Sequence, residues 1–198
     1  MRPAAVLADP SYLVPEAPPA ATGIAWLRSA VSRFCNGATH ARRRALVEEL
    51  LAGIDPGELR APYAGHPVSR LALALGVAAP VADDVRTAAA AYQTGDAAAD
   101  EAVERLVAAF GGAHDERTAA RIALLVQACD ATAALVERAR ARPVDEVLRD
   151  DPPVPATRRV APDGEVVLVS LEGAPFGAGP RACPGREHAL ALVAGALR

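Results

Sequence analysis

Apolar residues recur every three to four positions along most of this chain, the spacing of one face of an α-helix. Val103, Leu106, Val107 and Phe110, for example, stand at i, i+3, i+4 and i+7 before a glycine pair. Glycines, prolines and an Asn-Gly pair interrupt the spacing repeatedly, and each interruption predicts a helix end. The pattern therefore predicts helices over residues 26–34, 39–53, 67–76, 83–92, 115–141, 143–149 and 183–198, with a further helix capped by Asp96.

One region has β character instead. Residues 158–161 and 165–169 flank Pro162-Asp163-Gly164, a turn sequence, and predict a β-hairpin over 157–171. Residues 1–22 are rich in proline and predict an extended N-terminal segment. No repeat or linker divides residues 23–198, so we expect this range to form one domain. The predicted fold class is mainly α with one small β-hairpin.

Composition narrows the function further. The 198 residues suit a single domain with a real core, and the net charge of −3 argues against a nucleic-acid partner. Cys35, Cys129 and Cys183 stand far apart, which excludes a zinc knuckle and disfavours a disulfide scaffold. The charge-free apolar run 71–82 is too short to span a bilayer, and no apolar signal core follows Met1. We expect a soluble cytoplasmic protein without a membrane partner.

The segment that carries chemistry is residues 175–185, Pro-Phe-Gly-Ala-Gly-Pro-Arg-Ala-Cys-Pro-Gly. Gly177 and Gly179 permit positive φ and a close approach to a flat ring, where a Cβ would collide. Cys183 precedes a predicted helix, whose positive N-terminal end favours a thiolate. Arg181 can donate a charge-assisted hydrogen bond to a porphyrin propionate. These are the requirements of a thiolate ligand to haem iron; a free buried cysteine in a tight turn is the alternative.

This loop resembles the cysteine-ligand loop of the cytochrome P450 family, Phe-x-x-Gly-x-Arg-x-Cys-x-Gly, at every fixed position. The resemblance implies a reduced P450-like helical fold of the bacterial type that binds haem b, iron-protoporphyrin IX. Cys183 would be the thiolate axial ligand of the iron, which favours O–O cleavage. The haem contacts implied for the rest of the loop are Phe176, Gly177, Gly179, Arg181 and Gly185.

A second matching segment lies in the long predicted helix. Residues 122–136 are apolar except for Gln127, Asp130 and Thr132, so we expect this helix to be buried on all sides. Residues 127–132 resemble the family's oxygen-side helix, Ala-Gly-x-Asp/Glu-Thr-Thr. The resemblance implies that Ala128 packs against the haem ring and that Asp130 and Thr132 are catalytic, managing protons on the distal side. Ala131 replaces the family's first threonine, whose role would pass to water or a substrate hydroxyl.

Three further matches complete the predicted site. Glu146 and Arg149 resemble the family's Glu-x-x-Arg, which implies a structural ion pair below the haem. His40 and Arg44, at i and i+4, resemble the His-x-x-x-Arg that grips the haem propionates; a solvated basic face is the alternative. Arg159 matches the family's propionate-binding arginine after the proline-rich turn.

The function implied by the resemblance is a monooxygenase that inserts one atom of dioxygen into a small-molecule or carrier-bound substrate. A ferredoxin-like protein would donate the electrons. The chain is much shorter than a usual family member, so we expect an open distal side unless a second protomer or a partner protein covers it. A peroxide-driven haem-thiolate enzyme and a non-catalytic or degenerate haem-binding protein are the two alternatives.

Overall fold

The computed structural model describes residues 3–198 and confirms the predicted fold class, mainly helical with one two-stranded antiparallel sheet. Short 3-10 turns occupy Ser32–Phe34, Ala97–Ala99 and Gly179–Arg181. The two strands are β1 (Ala156–Val160) and β2 (Val166–Ser170). The helices are α1 (Pro3–Ala8), α2 (Gly23–Ala30), α3 (Gly37–Ala52), α4 (Pro56–Leu59), α5 (Pro67–Ala74), α6 (Ala82–Ala91), α7 (Asp100–Ala109), α8 (Glu116–Ala139), α9 (Val144–Asp150) and α10 (Arg186–Ala196).

The long helix α8 lies at the centre of the core. Asp115 caps it by accepting a hydrogen bond from the Thr118 amide at 2.7 Å. Its buried face, which includes Ile122 and Leu125, packs against α2, α3, α5, α6, α7 and α10. By length and composition α8 could cross a membrane, but 56% of its most apolar stretch is buried by the protein itself. Its composition alone therefore does not indicate a membrane span.

The hairpin presents one face to the interior. β1 and β2 pair from Ala156 opposite Ser170 to Val160 opposite Val166. Because side chains alternate along a strand, Arg159 lies on the inner face at 3% exposure, whereas Leu168 lies outside at 72%. The hairpin thereby brings a charged side chain into the protein interior.

The N-terminal segment differs from the prediction. Residues 3–8 form α1 rather than an extended chain, and Met1 and Arg2 lie outside the described residues. Pro3 suits a first helical turn, and Leu7 buries against Val169 and Leu171 at 3% exposure. Only the later part of the segment is extended, where Leu13 forms a β-bridge with Val160.

Candidate functional site

A cavity of about 550 Å³ lies between α3, α8, the hairpin and the cysteine loop, a size typical of small-molecule sites. It brings together all the predicted haem-binding, catalytic and metal-ligating residues except Gly179: His40, Arg44, Ala128, Asp130, Thr132, Arg159, Phe176, Gly177, Arg181, Cys183 and Gly185. A second cavity of about 450 Å³, lined by Tyr63, His66 and Glu137 among others, contains none of them. The first cavity is therefore the candidate site.

The cysteine loop is held in place by its own backbone. The Cys183 amide donates to the Phe176 carbonyl at 2.7 Å, and Gly177 and Gly179 have φ of 74° and 66°, as predicted. Of these two glycines, Gly177 borders the cavity and Gly179 does not. A Cβ on Gly179 would lie 2.6 Å from the Ala8 Cα, so this glycine accommodates α1 and not a flat ring in the cavity.

Cys183 is exposed and lines the cavity. Burial raises the pKa of this thiol; the Gly185 amide and the Arg44 charge act in the opposite direction and are smaller effects. The helix after it, α10, begins only at Arg186, which weakens the predicted dipole effect. Without a bound metal cation these effects favour the neutral thiol, and a bound metal cation would favour the thiolate.

Cationic side chains line one edge of the cavity. Arg159 is buried, and Arg33 and Arg181 are partly buried beside it. Among residues 3–198, none of these three has a carboxylate within 4.0 Å. Burial, followed by the charges of Arg33 and Arg181, lowers the pKa of Arg159 from 12.5 to about 10. This arginine cluster (Arg33, Arg159 and Arg181) is an anion site by its charge.

Arg181 is oriented by the loop before α3. Its Nη2 donates to the Cys35 carbonyl at 2.7 Å and to Asn36 Oδ1 at 2.9 Å. The Asn36 side chain in turn donates to the Val14 carbonyl at 2.9 Å. These contacts fix the guanidinium at the cavity edge.

His40 and Arg44 reach the same cavity from α3 and are not a solvated face. The Arg44 Nε donates to Glu48 at 2.7 Å, so this arginine is already paired. Burial, followed by the charges of Arg181 and Arg44, lowers the pKa of His40 below 6.5. His40 is therefore uncharged at neutral pH and contributes a hydrogen-bonding group rather than a charge.

The side of α8 that faces the cavity is open, unlike the predicted burial on all sides. Asp130 is exposed at the cavity, so its carboxylate needs no buried partner. Thr132 lines the same cavity and is 3% exposed. The small side chains of Ala128 and Ala131 leave room for a flat group beside the helix.

The predicted structural ion pair does not form. Among the described residues, the carboxylate within 4.0 Å of Arg149 belongs to Asp150, at 2.9 Å, and not to Glu146. Arg149 is exposed at the end of the short helix α9, where Asp150 is the nearer acidic side chain. The pair therefore cannot lock the interior below the cavity, and packing of Val147 at 0% exposure anchors α9 instead.

The cavity lining also includes residues that the sequence motifs did not point to, and two of them, Arg33 and Tyr92, carry polar groups that bear on binding. An arginine inside the apolar segment 26–34 was an available signal for Arg33. The sequence contains no such signal for Tyr92, since a tyrosine at a helix end usually packs in a core.

The residues present fit a haem. The thiol of Cys183, an exposed residue that lines the cavity, can serve as the one axial ligand from the protein. Arg159 and Arg181, which have no carboxylate partner among the described residues, can each bind a haem propionate. Among residues 3–198 no group of three or more His, Cys, Asp or Glu side chains is placed to hold a metal ion, but haem iron needs only one protein ligand.

Comparison with known proteins is consistent with this fold. The structure is similar to that of P450BioI in its complex with acyl carrier protein ligated by hexadec-9Z-enoic acid, with a TM-score of 0.57. The match covers 97% of this chain and 80% of that chain at 15% sequence identity, so it bears on the fold alone. No family model and no curated protein matches the chain.

Proposed function

We propose that this chain is a compact haem-thiolate monooxygenase, similar to cytochromes P450, that inserts one oxygen atom from dioxygen into an organic substrate. The observation that carries the proposal is a single cavity containing the Cys183 thiol, the arginine cluster and the Asp130 face of α8. These groups come from distant parts of the sequence, and a free structural cysteine would not require them nearby.

In this proposal Cys183 ligates the iron of haem b, and the cavity edge holds the propionates. Arg159 and Arg181 supply positive charge to the propionates. His40 supplies a neutral hydrogen-bonding group, and Arg44 supplies a positive charge although it is also ion-paired with Glu48. When bound, a thiolate-ligated haem supplies the O–O bond cleavage on which the reaction depends.

Proton supply falls to α8. The Asp130 carboxylate meets both the cavity and solvent, so it can take a proton from water and release it inside the cavity. Ala131, next to it, has no hydroxyl to continue that path. This gap favours a second candidate, peroxide-driven oxidation, because peroxide already carries the protons and electrons that dioxygen lacks.

We propose an acyl chain on a carrier protein as the substrate. Two observations support this choice: the cavity opens to solvent where Gln127 and Asp130 are exposed, and P450BioI was solved with an acyl carrier protein. A carrier protein seated there would cover the open side, as a second protomer would in a homodimer. A ferredoxin-like protein would supply electrons for the dioxygen reaction.

Turnover of hexadecenoyl-acyl carrier protein by the haem-loaded protein tests the proposal. One arm contains isotopically labelled dioxygen with ferredoxin and its reductase, and the other contains hydrogen peroxide alone. We expect one labelled oxygen atom in the acyl chain in the first arm, lost in Cys183→Ser and kept in Cys35→Ser, whose buried thiol does not line the cavity.

Asp130→Asn should slow the dioxygen arm more than the peroxide arm, because only the former draws protons through α8. Product in the peroxide arm alone would favour the peroxide-driven enzyme. Haem uptake without product in either arm would contradict both and leave a non-catalytic haem-binding protein.

A further inference from the structure

Arg33 and Tyr92 line the cavity together with residues of the hairpin, and the proposed function assigns no binding role to either side chain. Arg33 lies in the 3-10 turn before α3, Tyr92 follows α6, and Thr157 lies on the inner face of β1. All three line the cavity together with Arg159. We call these four residues the Arg33 corner.

Hydrogen-bond donors outnumber acceptors in the Arg33 corner. Arg33 Nη1 and Nη2 both reach Thr157 Oγ1 at 3.4 Å, and Arg159 Nη1 donates to the same oxygen at 3.2 Å. A hydroxyl oxygen has only two lone pairs, so it cannot satisfy three N–H groups. The contacts at 3.4 Å are also longer than ordinary N–H···O bonds. Arg33 therefore has donor capacity left for a ligand.

Tyr92 adds a buried donor without a partner. Its side chain is 3% exposed, and within residues 3–198 its hydroxyl has no hydrogen-bond partner. Buried tyrosine hydroxyls are normally bonded, so an unpaired one beside a cavity points to a ligand. Burial raises the pKa of Tyr92, against smaller opposing effects of Arg33 and Arg28, so the phenol keeps its proton and can donate it to a hydrogen bond.

The charge of the Arg33 corner requires an anion. Two guanidinium groups share one neutral oxygen there, and no carboxylate of the described residues lies within 4.0 Å of either. We infer that the Arg33 corner binds a carboxylate group, which accepts hydrogen bonds from the Arg33 guanidinium and the Tyr92 hydroxyl. A carboxylate matches the planar fork of an arginine and would take up the unused donors.

This carboxylate has two chemical sources. It is either a propionate of haem or the free carboxylate of an organic acid in the cavity. The first source rests on the proposed function and the second does not.

Equilibrium titration of the purified chain, followed by calorimetry, tests the inference. Haem is compared with haem dimethyl ester, in which both propionates are blocked, and decanoate is compared with 1-decanol. The variants are Arg33→Gln and Tyr92→Phe, each checked for its unfolding temperature. The control is Arg105→Gln, because Arg105 is exposed, pairs with Asp84 and does not line the cavity.

If the carboxylate is a propionate, both variants weaken haem binding by about tenfold or more and leave the dimethyl ester unchanged. If it belongs to an organic acid, they weaken decanoate by a similar factor and leave decanol and haem unchanged. Variants that bind haem and decanoate as tightly as the control overturn the inference.

Failure of the proposed function gives a different result. A chain that takes up no haem contradicts the haem-thiolate proposal, but titration of the haem-free protein with decanoate still decides the inference. Preference for decanoate over decanol, lost in Arg33→Gln, supports the Arg33 corner. Equal binding of the two compounds by the haem-free chain overturns it.

Discussion

Replacing Arg159 with methionine should cost the haem-free protein almost no stability, although the side chain is buried. An ordinary buried hydrogen-bonded residue would behave otherwise, since its loss usually destabilises by a few kcal/mol. The expectation follows from the charge that Arg159 carries in a site without a carboxylate.

The magnitude follows from two opposing effects. A pKa lowered from 12.5 to about 10 means that folding disfavours the charged guanidinium by about 3 kcal/mol. Against this, the variant loses hydrogen bonds to Thr157 Oγ1 at 3.2 Å and the Arg158 carbonyl at 2.9 Å, about 1 kcal/mol each. Methionine keeps most of the apolar stem. The net change in the free energy of unfolding should lie between zero and a gain of about 1 kcal/mol.

Urea unfolding of the haem-free protein measures this change. Arg117→Met is the control, because Arg117 is exposed and paired with Glu49, and should change stability by less than about 0.5 kcal/mol. Haem affinity should fall about tenfold or more in Arg159→Met and stay unchanged in the control. A loss of more than about 2 kcal/mol in haem-free Arg159→Met would contradict an uncompensated charge on Arg159.

Two further predictions concern the cysteine loop and α3. Gly177→Ala should lower the free energy of unfolding by about 1–2 kcal/mol, because of the positive φ of Gly177 alone. Gly179→Ala should lower it clearly more, because the added Cβ would meet the Ala8 backbone. Equal losses of the two variants in urea unfolding would exclude that close contact. Stability should fall as pH drops below about 6.5, since the lowered pKa of His40 means that the unfolded chain takes up the proton first. His40→Gln should reduce that slope, and an unchanged slope in unfolding measurements from pH 7 to 5 would rule out this cause.

Local signals made most elements predictable from the sequence. Asp115 caps α8 and Asp96 caps the turn before α7 through their own side chains, which are short-range contacts. The hairpin follows from Asp163-Gly164, where Gly164 has a φ of 90°. Such features depend on a few neighbouring residues, so the sequence contains the information needed to find them.

The predictions that the structure contradicts failed where the outcome depends on tertiary packing. α1 is stable because Leu7 packs on Val169 and Leu171, far along the chain. Arg149 pairs with Asp150 because α9 leaves it exposed, which residue spacing does not reveal. The raised pKa of the Cys183 thiol arises chiefly from burial by the surrounding protein, which the loop sequence does not reveal.

The candidate site was predictable only where a motif fixed its residues. The cysteine loop and α8 have such motifs, and apart from Gly179 their predicted site residues line one cavity. Arg33 and Tyr92 belong to no motif. Their significance lies in hydrogen bonds that are long or missing, which a sequence does not record.

The most direct test of the central claim is the carbon monoxide difference spectrum of the protein reconstituted with haem and reduced. We expect a thiolate-type Soret band that disappears in Cys183→Ser and remains in Cys129→Ser, whose thiol is buried in the core. A band of the neutral-thiol or histidine type, or no haem uptake, would contradict it.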